Sequence, residues 1–146
     1  MSEASAAPAQ TEPASALQTR QLPASYDVLA PDTSEIRVLV TGMRGSMAHG
    51  TLPPGRLSLA VRHQTVEELW FVVSGQAEIW RKLGDEEATV IAGPGTSLSI
   101  PVGTHFQFRT VGDEPFCFIM VTMPPWPGPG EAVRVPDHWP VPGEPR

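Results

Sequence analysis

The chain carries a single cysteine, so no disulfide can staple the fold. Cys117, set in the apolar run FCFIMV, is expected as a small buried hydrophobe. Positive charge is scarce as well: 10 Lys and Arg stand against 16 Asp and Glu, a formal net charge of −6. No basic stripe is available to neutralise phosphates, which argues against nucleic acid and anionic membrane partners. The N-terminus shows no basic segment followed by an apolar run, and no apolar stretch approaches a membrane span in length. The cytoplasm is therefore the expected compartment. No segment keeps a sustained helical period of apolar residues, which removes helical bundles and alternating strand–helix classes.

What the chain has in quantity is proline and glycine, 17 and 13 in 146 residues. They gather at the two ends and in short turns. Residues 1–25 are Ala, Ser, Pro and Gln with few large apolar side chains, and are expected to be a disordered tail. Residues 124–146 are proline-rich and are expected as an extended strap over the outside of the domain, anchored by Trp126 and Trp139. Residues 26–123 form the domain itself. Strand signals recur there at 35–41, 46–52, 57–63, 68–74, 77–82, 88–92, 97–101, 106–110 and 116–122, separated by turns such as PPG, SGQ, GPG and PVG. Short strands at this spacing specify an all-β sandwich or barrel.

The stretch VRHQTVEELWFVVSG, residues 61–75, is the most informative. With QTVE as the loop of a hairpin, His63 pairs with Glu68, Val61 with Trp70 and Leu59 with Val72. Directly opposed residues share one face with Cβ atoms about 5 Å apart. One face is then an apolar wall ending in a His–Glu pair. The other carries Ala60, Arg62, Leu69, Phe71 and Val73 and needs a cover, for which a second copy of the chain, making a homodimer, is the expectation. The preceding turn at PPG places His49 opposite Leu59 on the inner face for a three- or five-residue loop, and outward for a four-residue loop.

These residues carry a resemblance. Gly55, His63, Glu68 and Gly75 fall in register with the first motif of the cupin superfamily, and Gly95, Pro101 and Gly103 with the second. The resemblance spans about 35–122 and implies a double-stranded β-helix, or jelly-roll barrel, commonly dimeric and often holding one metal on its inner face. Where the family places its first His this chain has Val61; where the second motif places its His it has Phe106, and Thr110 replaces the Asn. Of the usual ligands only His63 and Glu68 remain, fewer than the three that an open mononuclear site needs. His105, next to Phe106, points away from the inner face by strand alternation. His49 is the candidate third ligand, giving a His49, His63 and Glu68 set for one divalent metal (Fe, Zn, Mn, Cu or Ni).

A second chemistry needs no metal. His63 and Glu68, walled by Val61, Trp70, Phe106 and Phe108, make an acid–base dyad suited to proton transfer beside a carbonyl. The expected function is thus a small-molecule enzyme or binder with catalytic residues His63 and Glu68. Its pocket is formed by His49, Val61, Trp70, Phe106 and Phe108, and isomerase, cyclase, lyase or dioxygenase chemistry falls within its reach. The alternative is a non-catalytic ligand-binding or structural barrel. Arg62, Gln107 and Arg109 are expected outward, His138 at the surface, and Trp70 and Trp80 in core packing.

Overall fold

Glycines mark where the strands turn and where they crowd. Gly75 sits at φ 74°, in the left-handed region, and a Cβ there would lie 2.1 Å from the Pro115 carbonyl oxygen. Only glycine permits that turn against that neighbour. Gly50 is needed for a different reason: a Cβ would stand 2.5 Å from the Phe118 ring, which lies flat on the bare backbone.

A computed structural model describes residues 8–10 and 16–142. The strands are β1 (Val28–Leu29), β2 (Glu35–Thr41), β3 (Ser46–Leu52), β4 (Val61–His63), β5 (Glu67–Ser74), β6 (Gln76–Leu83), β7 (Glu86–Ala92), β8 (Ser97–Ile100), β9 (His105–Val111), β10 (Phe116–Met123) and β11 (Ala132–Arg134). They form two antiparallel sheets, β1-β2-β3-β10-β5-β8 and β11-β4-β9-β6-β7, which face each other around one core. The all-β expectation holds. No helix long and apolar enough to cross a membrane occurs among the described residues.

Alternation divides each strand between core and exterior. Register aligns Ala48 with Met120, Met120 with Trp70 and Ile79 with Phe108 as inward rows. Trp70 stacks on Phe118 at 4.1 Å between centroids, Phe118 on Phe116 at 5.1 Å, and Phe108 meets Trp70 edge-on at 5.1 Å. These rings fill one end of the barrel.

The expected strand 57–63 is shorter than anticipated. Only Val61–His63 is strand, and Leu57 makes an isolated bridge to Arg109. After Pro53 and Pro54 the chain crosses from one sheet to the other, so β3 pairs with β2 and β10 and never with the segment holding Leu59. Likewise β4 and β5 lie in opposite sheets, and the turn between them is a crossover, not a hairpin. Two short strands, β1 and β11, were not expected.

The described part of the C-terminal segment divides into two stretches. Arg134 pairs with Val61 as β11 extends the second sheet. The chain then crosses that sheet's outer face. There Gln107, fully buried, accepts bonds from the His138 and Trp139 amides and donates to the Ser58 and Trp139 carbonyls. His138 stacks on Trp80 and Trp139 covers the Arg109 guanidinium. Trp80 is therefore packed under the strap rather than inside the barrel. Trp126, expected on the outside, instead closes the open end of the barrel. Of the N-terminal tail, residues 1–7 and 11–15 lie outside the described residues. Residues 16–25 have no regular structure yet are tied to β2: Gln18 bonds the Thr41 backbone and Arg37 bonds the Pro23 and Ala24 carbonyls.

Candidate functional site

The end of the barrel opposite the aromatic plug holds a pocket of about 630 Å³, mouth included. Its walls are Ile36, Val38, Ala48, Val61, Phe106 and Met120, its floor Trp70, and its rim includes Pro8, Gln10 and Trp126. Into it point His63 from the end of β4, Glu68 from the start of β5, and Asp32 from the turn before β2.

Each is held from behind. The Gly103 amide donates to the His63 carbonyl at 3.0 Å, so the turn after Pro101 fixes the end of β4. The His63 ring is wedged edge-on between Phe106 (5.4 Å) and Trp126 (5.2 Å). Trp70, two residues along the same face, donates its indole N–H to Glu68 Oε1 at 2.9 Å. Asp32 Oδ1 accepts from the Ser34 amide (2.9 Å) and hydroxyl (2.6 Å), a turn stabilised by its own side chain. The Gln64–Val66 crossover is clamped from the strap by Glu131, which accepts from the Thr65 amide and hydroxyl and the Val66 amide at 2.7–2.8 Å.

His63 and Glu68 are both buried, and His63 Nδ1 stands 3.8 Å from Glu68 Oε2, beyond hydrogen-bond distance. That nitrogen has no hydrogen-bond partner among the described residues. Burial pushes the Glu68 carboxyl above its usual range; His63 and the Trp70 bond oppose the shift, while Asp32 and Glu131 add to it. Asp32 is also raised by burial, against the Ser34 bonds and His63. Burial alone would raise Glu131 too, but the bonds from Thr65 and Val66, with His63, outweigh it and hold that carboxyl low.

The structure brings His63, Glu68, Val61, Trp70 and Phe106 together around this pocket. It does not bring His49. That residue pairs with Arg37 and Ile119, one step out of phase with the inward Ala48, and so lies on the outer face of its sheet. Burial and the neighbouring Arg37 lower its pKa there. The loop-length reasoning that offered an inward His49 assumed a hairpin with Leu59, which the crossover replaces. Phe108 also departs from expectation: it packs behind Trp70 in the core and does not line the pocket. His105 pairs with the outward Lys82.

The metal implied by the family resemblance can be tested on this donor set. Val61 and Phe106, at the positions where two His are expected, are paired neighbours on β4 and β9 and form an apolar wall. Among the described residues no group of three or more His, Cys, Asp and Glu is arranged to hold a metal ion. The residues present do not fit the usual centre.

Asp32, Trp126 and Glu131 were missed at the sequence level. The PDTS turn carried a visible Asp–x–Ser signal, but nothing local showed that the turn would fold inward over the pocket.

An uncharacterized protein of Methanocaldococcus jannaschii is 27% identical over 110 residues, covering 69% of this chain and 85% of its own. Among solved structures, an uncharacterized double-stranded β-helix protein of Klebsiella pneumoniae is similar with a TM-score of 0.59 at 20% identity, covering 71% of this chain and 85% of that one. The capsular polysaccharide assembling protein CapF of Staphylococcus aureus superposes with a TM-score of 0.66 at 21% identity over 82% of this chain. An oxalate decarboxylase of Lactobacillus farciminis does so at 0.59 and 20% over 68%. This chain spans only 35% and 31% of the length of the last two, which share the fold. The cupin domain model matches residues 48–122, the span that holds both motif frameworks and most of the barrel, and the chain belongs to the cupin family.

Proposed function

We propose that the pocket binds a small organic molecule with an apolar body and one polar handle, and that His63 and Glu68 exchange a proton with it. The observation that carries this is the buried His63 Nδ1, unpartnered and facing Glu68 Oε2 across 3.8 Å at the pocket end. Leaving a buried polar atom unmet costs stability, and such costs concentrate where a ligand completes the contact. The separation leaves the pair unbonded in the free protein. Either member can take or give a proton when a substrate atom sits against it.

The test is solvent-deuterium incorporation into a panel of small carbonyl compounds, followed by NMR. Wild type is expected to catalyse exchange and His63→Ala to lose it, with thermal stability nearly unchanged. A wild type inactive on the panel, together with a large stability loss in His63→Ala, would instead favour the second reading, a non-catalytic ligand-binding or structural barrel.

Leu69, Phe71 and Val73 stand about half exposed on the outer face of the first sheet. We propose that a second copy of the chain covers them; a monomeric molar mass by light scattering would remove that proposal.

A further inference from the structure

We propose that the ligand's polar handle is a cationic nitrogen, so that the pocket takes an organic ammonium compound and turns away carboxylates. This rests on the pocket being a ligand site, as proposed above, and adds the charge of what enters it.

Two carboxyl groups open on the pocket, Asp32 at 7% exposure and Glu68 at 3%. Each has one oxygen engaged by the protein: Asp32 Oδ1 by Ser34 and Glu68 Oε1 by Trp70. The bonds to the Asp32 carboxyl come from within its own turn, and Glu68 Oε2 stands 3.8 Å from His63 Nδ1, beyond hydrogen-bond distance. His63 Nδ1, on a side chain only 6% exposed, has no hydrogen-bond partner among the described residues. The other polar groups of the wall are spoken for. The Thr122 and Ser46 hydroxyls bond each other, Ser34 donates to Asp32, and the Gln10 amide donates to Thr41 Oγ1 and the Met47 carbonyl.

When ionised, the two carboxyls offer acceptors, and an ammonium is a group of three donors with no acceptor. Among the described residues lining the pocket none is Lys or Arg. A carboxylate entering here would bring a third acid into a buried space with no guanidinium or ammonium to receive it, and an unpaired buried charge is costly. An ammonium meets the opposite situation. Its charge pairs with the two acids as binding ionises them, and the rings of Trp70, Phe106 and Trp126 that line the pocket favour a cation over an anion. The same rings and Ile36, Val38 and Met120 receive an apolar body.

The experiment uses the full chain and three compounds of matched size: 2-phenylethylammonium, 2-phenylethanol and phenylacetate. Binding is followed by the indole N–H signals of Trp70 and Trp126 and quantified by calorimetry. The ammonium is expected to bind roughly tenfold tighter than the alcohol, with the carboxylate weakest. Glu68→Gln and Asp32→Asn each remove that preference while affinity for the alcohol persists. Equal or tighter binding of the alcohol or of the carboxylate overturns the inference and leaves the pocket a ligand site. If no member of the set shifts either indole at millimolar concentration, both the inference and the pocket reading fall. The wild-type ranking decides the matter even where a variant fails to fold.

Discussion

The two ends of this barrel are built on the same strands and filled to opposite effect. Along β10 the inward residues run Phe116, Phe118, Met120, Thr122, and along β5 they run Val72, Trp70, Glu68. Side chains pass from aromatic to polar within one strand length. At the first end rings touch rings. At the second, a His and two carboxyls line an opening that the described residues do not fill. Trp70 is the boundary, its ring stacked on Phe118 behind and its indole N–H committed to Glu68. A rigid packed end lets the other carry uncompensated polar groups, because the hydrophobic term that holds the barrel does not depend on them.

That division predicts very different costs for truncation. Phe118→Ala removes a fully buried ring that touches Trp70, Phe108 and Phe116 and leaves a cavity lined by a bare Gly50 backbone. A loss of about 4 kcal/mol is expected in chemical denaturation. His63→Ala deletes a ring that adjoins existing open space and breaks no hydrogen bond at Nδ1. A loss of about 1 kcal/mol is expected from the same measurement. Comparable costs for the two variants would erase the distinction between a structural end and a functional end.

The fold was legible because period-two alternation and the Gly and Pro turns are local signals, and nine expected strands match nine observed ones. The site was legible only in part. His63 and Glu68 do meet in one pocket, yet not as hairpin partners; they come from opposite sheets across a crossover that no local signal distinguishes from a hairpin turn. The same ambiguity sent His49 to the wrong face, since its orientation had been inferred from a strand pairing that does not form. Asp32, Trp126 and Glu131 reach the site from segments far away in sequence. Their placement depends on how the ends of the chain fold over the barrel mouth, which periodicity and spacing do not encode.

The smallest expected effect concerns pH, and it sharpens the comparison because the two raised carboxyls sit at the polar end. Burial raises the Asp32 and Glu68 carboxyls above their unfolded values, so the folded chain binds more protons than the unfolded chain within that window. The contribution of these two groups to stability therefore falls as pH rises from the ordinary carboxylate range through the raised values, the reverse of a salt-bridged acid. The groups facing Glu68 are His63, Asp32 and Glu131; Glu131 is shifted downward, so its contribution falls below this window, whereas His49 and His105, lowered by burial, oppose the slope within it. Glu68→Gln removes one of the two raised carboxyls. Relative to wild type, the melting temperature of this variant should gain with rising pH between about pH 5 and about pH 7. Phe118→Ala, at the packed end, should lower the whole curve and keep the wild-type slope. An unchanged slope in Glu68→Gln would mean that its carboxyl is ionised in the folded protein across this range, as an acid already paired with His63 would be.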